Sequence, residues 1–247
     1  MEQEVFEWMV AGHPLLVSFL DPLTRYKLRP LPKKVEGAAC EFCATPELIE
    51  LGRHFLAPDS TDSYIEYRCL ISLSARRLLR EHCCVFHSVA FSWRGRAWLL
   101  TAPSGTGKTT QYLNWQRLFP GEIEMISGDM PVLESRDDGS VWVHPSSWNG
   151  KENIYGAPAA LLGGLVLLKQ GKEDRMLPLS VHDAVLPLLQ QFMVLPETEE
   201  EIRQLSALLE RVLLTVPCRE FVNLGGDAST RLLRETFSAF LEKEALN

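Results

Sequence analysis

The sequence predicts an α/β protein with a mixed sheet and a phosphate-binding loop, together with a small mixed α+β region at the N-terminus. After about residue 80, apolar runs of strand length alternate with segments in which apolar residues recur at helical spacing. One of these runs, residues 97–102, passes into a glycine-rich turn and then into a polar, helix-compatible segment. Strands and helices that alternate in this way are typical of an α/β fold.

The composition is that of an ordinary globular protein, long enough for one large domain or for one core domain with a smaller attachment, and we expect the second arrangement. The chain has 247 residues, of which 46% are apolar and 23% are charged. We expect residues 1–80 to form an accessory N-terminal region and residues 81–247 to form a catalytic domain. The formal charge of −7 argues against a general nucleic-acid or anionic-membrane partner, because both attract an excess of Lys and Arg. A homo-oligomer remains open.

The sequence shows neither a targeting segment nor a membrane-spanning one. No N-terminal segment combines a basic start with an apolar core, and no apolar run approaches the roughly 18 residues that cross a bilayer. We therefore expect a cytoplasmic protein whose six cysteines are reduced thiols. Cys40 and Cys43 have the spacing of a zinc half-site, but there is no second such pair. Metal binding and simple packing both remain open for them.

The first 80 residues are predicted to contain short strands, loops and one short helix. Apolar runs at 5–10 and 15–20 are interrupted by glycine and proline. Residues 64–71 alternate between apolar and charged side chains, which predicts a strand. Residues 74–81 suit a helix with a basic cluster that is either a solvated face or an anion contact: Arg76, Arg77 and Arg80. We recognise no catalytic spacing in this region.

The rest of the chain yields a fuller series of elements. A strand at 85–91 carries His87, and a hairpin turn at 93–96 leads into the strand 97–102. The segments that follow are predicted as a helix at 108–118, a strand at 122–127, a hairpin of 132–134 with 141–144, strands at 162–168 and 176–179, a helix from Ser180 or Asp183 to about 193, a helix at 197–215, a strand at 216–222, and a final helix capped by Asp227.

The turn after residues 97–102 has the residue types of a phosphate cradle. Small residues allow a tight turn that points successive N–H groups at one anion. Lys108 would supply a positive charge to the β and γ phosphates, and Thr109 would place a hydroxyl on magnesium. Ala102 stands where the Walker A pattern has glycine, and it would be strained only at positive φ. The predicted nucleotide site comprises Ser104, Gly105, Thr106, Gly107, Lys108, Thr109 and Thr110.

Two further side chains are candidates for chemistry beyond the loop. Asp129 follows the predicted strand 122–127, and an acid at the carboxyl end of a strand can hold magnesium or accept a proton. Lys151 belongs to a polar, irregular segment at 145–158. It is either a flexible cation for a transferring phosphate or an ordinary exposed lysine.

The order of these residues resembles the catalytic domain of the HPr kinase/phosphorylase family. That family includes kinases of lasso-peptide clusters and shares the phosphoenolpyruvate carboxykinase type of nucleotide site. Phe86-His87-Ser88 resembles the family's His-Gly or His-Ala element, and residues 103–109 resemble its Ser-Gly-x-Gly-Lys-Ser loop. The resemblance covers about residues 83–190. It implies ATP and Mg²⁺ as cofactors, with Asp129 and Thr109 as metal ligands.

The chain departs from that family at two points. The family carries paired aspartates after the loop, whereas Gly128 precedes Asp129 here. The family's segment for phosphorolysis has no counterpart, so we do not expect phosphorylase activity. We expect a kinase that acts on a peptide, a protein Ser or Thr, or a small-molecule alcohol, with His87 or Asp129 as the base. The alternative is a catalytically weak nucleotide-binding sensor or scaffold, which the missing acid favours.

Overall fold

The structure, a computed structural model, describes residues 4–148 and 156–244. This part of the chain forms a mixed α/β fold, as the sequence predicts. The strands are β1 Val5–Val10, β2 His13–Ser18, β3 Lys33–Val35, β4 Phe42–Cys43, β5 Cys83–Val85, β6 Ser88–Trp93, β7 Arg96–Thr101, β8 Glu124–Ser127, β9 Val132–Ser135, β10 Val141–His144, β11 Ala160–Gln170, β12 Arg175–Pro178 and β13 Cys218–Asn223. The α-helices are α1 Pro46–Arg53, α2 Asp62–Leu79, α3 Lys108–Leu118, α4 Val181–Leu189, α5 Glu199–Thr215 and α6 Asp227–Glu244.

The larger sheet is mixed and curled. Its long run has the order β12-β13-β11-β7-β6-β8, and an arm of β10, β9 and β5 leaves it at the start of β11. Strands β7, β11 and β13 are parallel, whereas β6 is antiparallel to both β7 and β8. Strand β8 therefore runs in the same direction as β7. The carboxyl ends of β7 and β8 consequently lie at one edge of the sheet, beside the start of β6.

Both faces of this sheet are covered, which explains the nearly continuous apolar character of its central strands. On one face, α3 and α6 enclose an aromatic cluster in which Trp98 stacks on Phe237 with ring centroids 4.2 Å apart. On the other face, residues of α4 and α5 pack against β7 and β11. Strand β7, which precedes the predicted loop, is therefore packed on both faces, and α3, which follows the loop, is packed against one of them.

The N-terminal region forms a second, four-stranded sheet with the order β3-β1-β2-β4. Its buried side chains belong to the same apolar cluster as residues of β5, β9 and α2. Trp8 of β1 packs edge-on against Trp148, with ring centroids 5.2 Å apart. The two regions on either side of residue 80 therefore share a core.

The prediction of a strand at 64–71 is wrong, because this segment lies within the 18-residue helix α2. Thr61 caps the helix by accepting a hydrogen bond from the backbone N–H of Tyr64. One side of α2 packs Ile65 against α1, and another packs Ile71 into the main core. Because α2 is buried on more than one side, its apolar residues do not follow the spacing of a single helical face, and within 64–71 they resemble the alternation of a strand.

The separate short helix predicted at 74–81 is the carboxyl end of α2, and two of its arginines have structural partners. Arg76 forms ion pairs with Glu197 and Glu201 at the start of α5. Arg77 pairs with Glu41 and Glu81. These contacts support a structural role for both guanidinium groups.

From residue 93 onward, the predicted elements agree with the structure within a few residues. The helix at 108–118 has the same bounds as α3, and the hairpin around residues 137–139 joins β9 to β10. The helix predicted to reach about residue 193 ends at Leu189. No helix in the described ranges is both long and apolar enough to cross a membrane.

Candidate functional site

The glycine-rich turn lies between the end of β7 and the start of α3. Gly105 and Gly107 have φ values of 80° and 103°, in the left-handed region that side chains disfavour. Gly107 is the N-cap residue of α3, so the free N–H groups of the first helical turn face the loop. Ala102 is not among the non-glycine residues with positive φ in the described chain, so its methyl group causes no backbone strain.

Lys108 is buried, and its side chain folds back over the loop. Its exposed fraction is 8%, and Nζ donates a hydrogen bond to the carbonyl oxygen of Ala102 at 2.8 Å. A longer contact of 3.4 Å reaches the carbonyl oxygen of Pro103. Burial lowers the pKa of Lys108, and the charge of Asp129 opposes this shift. The ammonium group is held where an anion on the loop would meet it.

His87 and Asp129 meet at the sheet edge next to the loop. The structure corrects the position of His87, which lies between β5 and β6 rather than within one strand at 85–91. The backbone N–H of Ser88 donates to the carbonyl oxygen of Asp129 at 2.8 Å, because β6 begins beside the end of β8. The imidazole Nε2 lies 3.5 Å from the Asp129 carboxylate. Antiparallel pairing of β6 and β8 thus brings together two residues 42 positions apart (129 − 87).

Gln191 orients the imidazole of His87. Its side-chain oxygen Oε1 lies 3.1 Å from Nδ1, while its amide nitrogen donates to the carbonyl oxygen of Pro187 at 3.4 Å. Because an amide oxygen only accepts, this contact favours the tautomer with the proton on Nδ1, which leaves Nε2 free to accept a proton on the side of Asp129. Burial lowers the pKa of His87, Lys108 lowers it further, and Asp129 and Gln191 oppose the shift. The neutral ring is a suitable proton acceptor at neutral pH.

These groups line one cleft of about 700 Å³. Of the predicted residues, the cleft wall contains His87, Ser104, Gly105, Gly107, Lys108, Thr109, Thr110 and Asp129. Thr106 is not part of this wall, and its hydroxyl donates to the carbonyl oxygen of Pro103 at 2.8 Å. Lys151 lies outside the described residues. Thr109 and Asp129 offer hydroxyl and carboxylate oxygens, which are the ligand types that Mg²⁺ prefers.

Another part of the cleft wall comes from residues that the sequence did not indicate. Tyr64, Tyr67 and Arg68 of α2 line it, together with Trp148. Burial raises the pKa of Tyr67, with a further contribution from the charge of Asp129. Within the part of the chain that the structure describes, Arg68 has no ion-pair partner. A strand would point Tyr64 and Tyr67 to opposite faces of the sheet, whereas a helix turns Tyr64, Tyr67 and Arg68 to one side.

The N-terminal region positions this wall through a buried carboxylate. Glu66 of α2 accepts hydrogen bonds from the backbone N–H groups of Leu20 and Asp21 at 2.6 and 3.0 Å. It also accepts one from the hydroxyl of Thr24 at 2.6 Å. A buried carboxylate satisfied in this way fixes a helix in register with its neighbours. The first 80 residues therefore contribute directly to the cleft.

Cys40 and Cys43 show no metal-type arrangement in the described ranges. The Cys40 thiol donates to the carbonyl oxygen of Phe42 at 3.1 Å and contacts the hydroxyl of Ser18 at 3.3 Å. The described part of the chain contains one cluster of at least three convergent His, Cys, Asp or Glu side chains, and neither cysteine belongs to it. Local hydrogen bonding accounts for Cys40.

Comparison with known proteins identifies no relative of this chain, so the function is argued from the geometry of the site. The chain matches no model of a known protein family, and comparison with curated proteins also gives no match.

Proposed function

We propose that this chain is an ATP-dependent kinase of the HPr kinase-like type, which transfers the γ-phosphoryl group to a hydroxyl acceptor. The observation that carries the proposal is the convergence of a buried loop lysine, a carboxylate and a neutral imidazole in one cleft. Phosphoryl transfer depends mainly on positioning and electrostatic stabilisation, and these three groups serve that purpose.

The loop and the first turn of α3 form the nucleotide site in this proposal. Backbone N–H groups from 104–110 would hold the β and γ phosphates, and the Lys108 ammonium would turn from Ala102 towards them. Thr109 and Asp129 would hold Mg²⁺, whose charge would help neutralise the transferring group. The unstrained backbone at Ala102 supports this use of the loop despite its departure from the glycine pattern.

His87 is the proposed proton acceptor. Gln191 keeps the Nδ1 proton in place, so the lone pair on Nε2 faces the cleft beside Asp129. A proton taken from the acceptor hydroxyl would rest on His87, where the Asp129 charge stabilises the imidazolium. Gly128 occupies the position at which the resembled family has its first aspartate. This first aspartate is missing here, and His87 would take its role as the proton acceptor.

The acceptor would bind between the loop and α2. Tyr64 and Tyr67 provide aromatic surface, and Arg68 provides a second positive charge in the cleft wall besides Lys108. A peptide or protein Ser or Thr and a small-molecule alcohol both fit this description. The N-terminal region would thus take part in acceptor binding through α2.

A nucleotide-binding sensor or scaffold is the second candidate, and Gly128 favours it. If the proton acceptor requires a second carboxylate, the cleft binds nucleotide without efficient transfer. The same loop and lysine would still hold the phosphates. The two functions differ in turnover and not in nucleotide binding.

A binding and turnover experiment tests the proposal. Mg²⁺–ATP binding is measured by calorimetry for the wild type, Lys108→Ala and Thr109→Ala, with Lys34→Ala as an exposed lysine control outside the cleft. Transfer from γ-labelled ATP is then followed to water and to a panel of Ser- and Thr-containing peptides and polyols. Unchanged affinity in both loop variants would refute the nucleotide site. Tight wild-type binding without transfer to any acceptor or water would favour the sensor.

A further inference from the structure

A second group of chemically active side chains lies where the N-terminal sheet meets the β5–β9–β10 arm. His13 begins β2, Cys83 begins β5, and Glu134 is on β9. One ligand atom from each of the three lies within 4.8 Å of the other two. The Cys83 sulfur and Nε2 of His13 are 3.8 Å apart. None of these residues lines the nucleotide cleft.

Strand pairing explains why they converge. Cys83 and Glu134 are direct cross-strand partners in the antiparallel pair β5–β9, so their side chains share a face of the sheet. His13 reaches that face because β2 packs its buried side chains into the same core. The sequence separations are 70 and 121 residues (83 − 13 and 134 − 13), so no sequence motif marks the group.

Neighbouring residues prepare the carboxylate as a ligand. His144 Nε2 lies 2.7 Å from Glu134 Oε2, and Arg136 Nε donates to the same oxygen at 2.9 Å. These two contacts fix the orientation of the Glu134 carboxylate. Partners of this kind orient the ligands of metal sites in proteins. Among the described residues, both of these hydrogen bonds are made to Oε2, and none is made to Oε1.

The cluster is suited to a metal rather than to a reactive thiol. Cys83 is fully buried, so a bulky reaction partner does not reach its sulfur. The His13 side chain is 27% exposed, which provides a route for an ion to enter. One sulfur, one imidazole nitrogen and one carboxylate oxygen together match the ligand preferences of zinc.

We propose that His13 Nε2, the Cys83 sulfur and the Glu134 carboxylate bind one zinc-class divalent cation, with water as the fourth ligand. Ligands around tetrahedral zinc are about 3.3–3.8 Å apart, as the bond lengths require. The observed separations reach this range through small side-chain rotations. The ion joins the N-terminal sheet to the main sheet, and His144 acts as a positioning residue through Glu134.

Cobalt substitution tests the site in the full chain. The purified protein is stripped with a chelator and titrated with Co²⁺, whose thiolate complexes show a charge-transfer absorption band. We expect a band that saturates at one ion per chain and disappears when Zn²⁺ is added. Cys83→Ala and His13→Ala should abolish it. His144→Ala should keep the band but weaken Zn²⁺ affinity by about 10- to 100-fold, measured by competition with a chelating dye.

Matched variants separate this site from the other cysteines. Cys84→Ala changes the adjacent buried thiol on the opposite face of β5, and the double variant Cys40→Ser/Cys43→Ser removes the half-site spacing. Both should retain the band. Loss of the band in the double variant, its persistence in Cys83→Ala, or its absence from the wild type would each overturn the proposal.

Thermal unfolding provides a second readout that does not depend on the buried cysteine. A ligand that binds only the folded state raises Tm. Zn²⁺ should therefore raise the Tm of the stripped wild type and have no effect on His13→Ala, whose partly exposed side chain can be removed without a core cavity. An equal shift in both proteins would show that zinc binds elsewhere and would refute the site.

Discussion

Lys108→Met should separate nucleotide binding from stability. Methionine keeps most of the length of the side chain and removes the ammonium group, with both its charge and its hydrogen bond to Ala102. Because burial already disfavours the ammonium in the free protein, the free energy of unfolding should stay the same or increase. Binding of Mg²⁺–ATP should weaken by about 100-fold, because the charge serves the nucleotide and not the fold.

The magnitude follows from two opposing contributions. A unit charge about 4 Å from a phosphate charge contributes about 4 kcal/mol at an effective dielectric constant of about 20. To reach the phosphate, Nζ gives up its 2.8 Å hydrogen bond to the carbonyl oxygen of Ala102. That bond contributes about 1 kcal/mol. The remaining difference of about 3 kcal/mol corresponds to an affinity ratio slightly above about 100.

Calorimetric titration with Mg²⁺–ATP and urea denaturation together provide the assay. Lys34→Met is the control, since Lys34 is an exposed lysine of β3 that pairs with Glu4 and does not line the cleft. It should change neither quantity by much. Wild-type affinity in Lys108→Met would refute the assignment of the loop. A large loss of unfolding free energy would show that the lysine is a structural residue instead.

Three further predictions concern the base, the core and a salt bridge. Gln191→Leu should lower kcat by about tenfold and move the acid limb of its pH profile to lower pH. The rate falls where His87 becomes protonated, and burial places that pKa below the ordinary value of about 6.5. Gln191 favours the protonated ring, so its removal lowers the pKa of His87 further. Gly164→Ala should cost about 1–3 kcal/mol in urea denaturation, because the added carbon would lie 2.8 Å from one ring atom of Phe240 and one of Trp98. Glu122→Gln should cost about 1 kcal/mol at pH 7, because Arg234 lowers the pKa of Glu122. That stabilisation is present above about pH 4.3 and is lost as pH falls through the lower folded value.

Each of these predictions has its own control. An acid limb that stays in place in Gln191→Leu would mean that His87 is not the group that titrates. Gly226→Ala should be nearly neutral, because an added carbon there meets no atom within 4 Å, and equal losses in the two glycine variants would contradict the packing argument. Wild-type Glu122 and Glu122→Gln should converge in stability at low pH. A constant difference across pH would exclude the ion pair as its cause.

The unit of strand, loop and helix was predictable because its determinants are local. Glycines at 105 and 107 permit a backbone that other residues disfavour, and Lys108 begins a helix whose last residue is followed by Phe119-Pro120-Gly121. The positions of His87 and Asp129 next to the loop followed from the hairpin and from the end of a strand. These elements are set by turn residues and apolar periodicity within short stretches of chain.

The cleft residues of α2 and the group of His13, Cys83 and Glu134 could not be predicted, because long-range packing brings both together. The alternation in residues 64–71 fits a strand, but the segment is buried between α1 and the main core, and that burial stabilises a helix. In this helix, Tyr67 and Arg68 line the same cleft as Lys108.

By itself, the sequence determined the α/β class, the loop, and the placement of His87 and Asp129 near it. Each of these depends on neighbours along the chain. Tertiary structure alone decided what faces the loop and what joins the two sheets. Glu66 fixes α2 through hydrogen bonds to residues more than 40 positions away, and His13 meets Cys83 only after both sheets have packed into one core. Contacts of that range depend on which surfaces are buried together, and no local pattern records that choice.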